Sequence, residues 1–156
     1  MKYLILLLLM ISGTPMANTF VESCHPESAR CAILEDNGSS AWLYLTPAGG
    51  EGIEQDAFAY SPVAPREELN RAAIEAGNPP ILTRKYASSR AVLESPEEHS
   101  FQFVWSSDGE SVALLCNGDP IAMVVSGYDK GFSVALVSES GFGQAWDQSV
   151  YEAVFE

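Results

Sequence analysis

Phe101-Gln102-Phe103-Val104-Trp105, Ser111-Val112-Ala113-Leu114-Leu115-Cys116, Ile121-Ala122-Met123-Val124-Val125 and Phe132-Ser133-Val134-Ala135-Leu136-Val137 follow one another with short polar links between them. The first alternates, with Phe101, Phe103 and Trp105 on one face. The second puts Val112, Leu114 and Cys116 on one face. The third is apolar throughout, the mark of a strand covered on both sides. Links as short as 106–110, 117–119 and 127–131 join sequential strands as antiparallel neighbours. The segment 100–138 is therefore read as a β-meander. Turns of a meander alternate between its two ends, which places loops 106–110 and 127–131 side by side and 117–119 with 139–143 at the opposite end.

Outward from this segment the pattern stays mostly β. Cys31 to Glu35 and Ala41 to Thr46 flank Asp36-Asn37-Gly38-Ser39-Ser40, and Asn-Gly between apolar runs is a strong hairpin signal. A short strand is expected at Ala57 to Tyr60, weaker ones at 82–86 and 90–94, and a last one over Val150 to Phe155, with Tyr151, Ala153 and Phe155 on one face. One amphipathic helix is predicted over 66–76. Pro65 suits its first position, Leu69, Ala72, Ala73 and Ala76 share a face, and Gly77 suits its left-handed end. The fold class is thus mostly β (α+β), an antiparallel meander with one short helix.

Met1 to Ile11 carries one lysine and then an apolar run, followed by small residues to Ala17, the pattern of a secretory signal peptide. The run is too short for a bilayer, which takes about 20 apolar residues. Cleavage after Ala17 leaves residues 18–156 as a single domain, exported to the periplasm. Glu22 before Cys24 argues against lipid anchoring, so no membrane attachment is expected. Export places the three cysteines, Cys24, Cys31 and Cys116, in an oxidising compartment. Cys24–Cys31 is the favoured pair; Cys31–Cys116 or Cys24–Cys116 would instead tie the N-terminus to the core.

The exported part carries 7 basic and 21 acidic residues, a net charge of −14. Such a charge repels nucleic acid and anionic lipid and favours encounter with a basic partner. It also serves solubility. Catalytic patterns are weak. His25 and His99 are the two histidines, His25 adjoins Cys24 on an extended segment, and no metal-ligand spacing occurs. Asp108-Gly109-Glu110 offers too few oxygens for a calcium loop. No cofactor is expected.

The loop Ser106-Ser107-Asp108-Gly109-Glu110 carries the functional expectation. As a plain turn it is ordinary. As a site it is a polar, acidic tip with Trp105 at its base and Tyr128 and Asp129 beside it from the next loop. Loops and aromatics on a stiff sheet commonly form contact surfaces.

A small, exported, acidic, mostly β domain with the serine-bearing loop Trp105-Ser106-Ser107-Asp108 resembles the periplasmic immunity proteins that neutralise type VI secretion amidase toxins. The resemblance covers the C-terminal half. It implies a non-enzymatic inhibitor that wedges a loop into the Cys-His groove of a peptidoglycan amidase, with Ser106 or Ser107 approaching the toxin's histidine. The alternatives are an envelope module that binds a glycan or peptide, and a hydrolase.

Overall fold

The computed structural model describes residues 19–156; the predicted signal segment lies outside the described residues. The first four strands, β1 (Thr19–Cys24), β2 (Cys31–Asp36), β3 (Ala41–Leu45) and β4 (Gln55–Tyr60), form one antiparallel sheet in sequence order. After them comes a short helix, α1 (Arg71–Glu75). The second sheet is β5 (Phe101–Trp105), β6 (Val112–Cys116), β7 (Asp119–Val124), β8 (Phe132–Ser133) and β9 (Gln144–Ala145), also in order. A second helix, α2 (Gln148–Phe155), ends the chain. The mostly β class and the antiparallel meander β5 to β8 stand as expected, while β9 joins the edge in parallel.

Period-2 burial explains how the layers stack. Ala32 and Leu34 of β2, Leu43 and Leu45 of β3, and Ala57 and Ala59 of β4 form one core with Val112, Leu114 and Cys116 of β6 and Ile121, Ala122 and Val124 of β7. The inner faces of the two sheets therefore share that core. On the outer face of the second sheet, Ala113, Met123, Val125 and Phe132 pack with Tyr151 of α2. On the outer face of the first, Trp42 and Phe58 pack with Leu82, Ala91, Leu136 and Phe142 from irregular segments. Gly131 packs directly on β4, since a Cβ there would lie 2.3 Å from Ala57 Cβ.

Four expectations are corrected. The predicted strand over Val150 to Phe155 is helix α2, capped by Asp147, whose carboxylate accepts the Val150 N–H at 3.1 Å. Its sequence satisfies both periods. Val150, Tyr151, Val154 and Phe155 fall at helical spacing and all pack inward, while Ala153 is exposed. The helix predicted over 66–76 shrinks to α1 with Asn70 as its cap, and none of its residues is buried. Arg66 cannot be helical because its N–H donates to the Leu82 carbonyl (2.9 Å) and its carbonyl accepts from Arg84 N–H (2.7 Å). The expected strands at 82–86 and 90–94 reduce to isolated bridges and a 3-10 turn at Arg84–Tyr86. Finally, β8 stops after two residues and the chain folds back. Gly143 therefore lies 2.8 Å, measured from its virtual Cβ, from the Gly131 carbonyl, and Lys130 Nζ donates to the Ser140 carbonyl at 3.1 Å. Loop 139–143 is thus beside loop 127–131, not at the opposite end.

Candidate functional site at the acidic end of the sheets

Loops 106–110 and 127–131 do share one end of the second sheet. Ser126 N–H donates to Ser111 Oγ at 2.9 Å, which ties the two loops together. Within the tip, Ser106 Oγ donates to Asp108 Oδ1 at 2.7 Å and accepts the Ser111 N–H at 3.0 Å. Asp108 Oδ1 also accepts the Glu110 N–H at 3.0 Å. Ser106 is therefore buried as an internal staple, while Ser107 and Asp108 face solvent. The Glu110 backbone N–H, with the Ser106 hydroxyl second, holds the Asp108 carboxyl below the ordinary carboxylate range. The tip thus carries its charge at neutral pH.

The first sheet holds this tip from behind. Cys24 and Cys31, opposite each other across β1 and β2, form the disulfide expected for that pair. It closes the turn 25–30, whose residues reach the tip. The His25 ring meets Trp105 edge to face at 5.5 Å, and Trp105 Nε1 donates to Ser23 Oγ at 3.2 Å. Gly109 packs under His25 and Ser28. Arg30 donates through Nε to Glu110 Oε1 at 2.9 Å and through Nη1 to the Thr46 carbonyl at 3.0 Å and to Glu54 Oε1. The Glu54 hydrogen bond, opposed by burial and aided by Glu110, raises the Arg30 guanidinium further above its already high value. A half-buried arginine fork bridging two carboxylates and a carbonyl joins the two sheets at this end.

The neighbouring loop is pinned as well. Gln55 Nε2 donates to the Tyr128 carbonyl at 2.8 Å, and the Tyr128 ring meets Phe132 edge to face at 5.1 Å while staying 41% exposed. Asp129 is exposed. Lys130 pairs with Glu139 at 3.3 Å. Arg30 and Lys130, the cations placed at this end, are thus both spent on internal carboxylates. What remains outward is Ser107, Asp108, Tyr128 and Asp129, a face of hydroxyl, acid and aromatic groups.

Sequence reasoning named the outward residues and missed their support: Arg30, Glu54, Gln55, Lys130 and Glu139. The cysteine spacing marked the turn that holds Arg30, but pairing between residues 30 and 110 is a tertiary contact with no local signature. His25 and His99 are occupied structurally. His25 Nδ1 accepts the N–H groups of Glu27 and Ser28, both at 3.2 Å, and His99 lies against the Glu94 carbonyl and Asn117. Cys116 is a buried free thiol, raised by burial and then by the Asp119 charge, which makes it a poor nucleophile. Glu22, Cys24 and Cys31 lie close enough together to suggest a metal cluster, but both sulfurs are committed to the disulfide. Among the described residues no helix is long and apolar enough to cross a membrane. No protein-family model, curated protein or solved structure matches the chain.

Proposed function

We propose that the protein is a periplasmic inhibitor, an immunity protein that occludes the active-site groove of a basic, cell-wall-degrading amidase with the end formed by loops 106–110 and 127–131. One observation carries the reading: the acidic tip is immobilised from behind by the Arg30 fork and the disulfide-closed turn, while Ser107, Asp108, Tyr128 and Asp129 stay exposed to solvent. A pre-ordered tip loses little conformational freedom on docking, so more of its contact energy appears as affinity. The net charge of the chain steers a basic partner toward it. In this reading Ser107 and Asp108 touch the partner, Tyr128 and Asp129 flank them, and Ser106, Gly109 and Glu110 hold the tip's shape.

The test is growth protection against the cognate toxin directed to the periplasm, with circular dichroism on each variant. Ser107→Arg is expected to fold as the parent and to lose protection, since central contact residues commonly contribute about 2 kcal/mol or more each. Asp108→Lys is expected to keep the sheets and to lose protection through both the missing charge and the acceptor that Ser106 and Glu110 use. If both variants fold and protect like the parent, the tip is not the contact surface.

A further inference from the structure

A second site lies away from the acidic end. The turn between β2 and β3 and the segment 66–81 enclose an open groove of about 410 Å³, a size usual for small-ligand and peptide sites. Both walls are anchored where they leave the core. The turn is anchored by Asp36, fully buried, which accepts the Gly38 N–H at 2.8 Å and the Tyr60 hydroxyl at 3.0 Å. The other wall is held by the backbone bonds of Arg66 to Leu82 and Arg84.

The polar groups in this groove have a common bias. Asn37 Oδ1 already accepts the N–H groups of Ser39 (2.9 Å) and Ser40 (3.0 Å), and Asn70 Oδ1 accepts that of Ala73 (3.0 Å). With both oxygens committed, each side chain has its NH2 left to offer. The Arg66 guanidinium has no ion-pair partner among the described residues, and neither has Glu68. Ile74, 37% exposed, and the half-buried Ile81 supply the apolar surface. The groove thus combines an arginine fork and two amide donors for an anion, one carboxylate for an N–H, and an aliphatic floor.

We propose that this groove binds the C-terminal end of a short extended peptide. The terminal carboxylate sits on Arg66, helped by the Asn37 and Asn70 amides. The backbone N–H groups face Glu68, and the last side chain rests on Ile74 and Ile81. A glycan fits less well because no aromatic ring lines the groove for a sugar face to stack on. This site does not depend on the inhibitor reading.

The experiment is an NMR titration of the isotopically labelled protein with Ac-Ala-Ala-Leu as the free acid, with the same peptide as its C-terminal amide, and with chitotriose. The expected result is shift changes confined to residues 37–40 and 66–81. The acid should bind about tenfold tighter than the amide, which corresponds to about 1.4 kcal/mol. Arg66→Gln should erase that preference with the rest of the spectrum unchanged, because only the exposed guanidinium is altered. Equal binding of acid and amide overturns the proposal. So does a preference that survives Arg66→Gln, shifts that map elsewhere, no response at millimolar peptide, or binding of chitotriose in place of peptide. The acid–amide comparison on the parent protein decides the matter even if the variant misfolds.

Discussion

Gly109 is the residue on which the tip turns. Its φ is +72°, and a Cβ there would sit 2.5 Å from His25 Nδ1 and 2.7 Å from Ser28 Oγ. Left-handed backbone and close packing both exclude a side chain. Gly109→Ala is expected to destabilise the protein by about 2 kcal/mol, read from the chemical-denaturation midpoint; an unchanged midpoint would mean that the turn 25–30 does not pack on the tip. Asp108 gives the tip a pH dependence. Its folded value is depressed, so its contribution is fully present above the ordinary carboxyl range and is lost as pH falls through the lowered value. As pH falls through that lowered value, the Glu110 amide should lose protection relative to its intrinsic exchange rate, while the amides of β6 and β7 stay protected. At this scale the sequence told half the story. Asp-Gly and the serines announced a turn, and Gly109 was legible as a turn residue. That Ser106 points inward and Ser107 outward was not, because the direction of the Ser106 hydroxyl is set by hydrogen bonds to Ser111 across the strand ends.

Among the elements, those with one dominant period were read well and those with two were not. The hairpin of β2 and β3 and the strands β5, β6 and β7 each carry strong alternation or a continuous apolar run, and their positions were legible. Residues 148–155 fit a strand through Tyr151, Ala153 and Phe155 and a helix through Val150, Tyr151, Val154 and Phe155. The Asp147 cap and the outer face of the second sheet decide for the helix. The 66–76 segment failed for another reason. Its propensity was helical, but the backbone of Arg66 is drawn into a bridge with Thr83, a non-local competitor that local pattern cannot reveal. Substitutions in α2 separate the two readings. Tyr151→Ala empties a site that is 7% exposed and should destabilise the protein by about 3 kcal/mol. Ala153→Lys should change stability by less than about 0.5 kcal/mol, because Ala153 faces water in a helix. A strand would bury that lysine, so a large loss at position 153 would contradict α2.

For the molecule as a whole, the disulfide couples the two sheets. The bond itself lies inside the first sheet, between β1 and β2, yet the turn it closes supplies His25, Ser28 and Arg30 to the tip of the second. Replacing both Cys24 and Cys31 with serine reopens a short loop, and closing such a loop is worth roughly 2–3 kcal/mol. If the turn acts as a brace, the effect should not stay local. Hydrogen exchange at Ser106 to Ser111 should quicken more than exchange in the hairpin of β2 and β3, whose turn is held independently by Asp36. Protection in the toxin assay should fall in the same variant although Ser107, Asp108, Tyr128 and Asp129 are all intact, because a loosened tip loses its preorganisation before it loses any contact group. Accelerated exchange limited to residues 19–36, with the tip as slow as in the parent, would show that the Arg30 fork holds the tip without the disulfide and that the two sheets are coupled through that fork and their shared core.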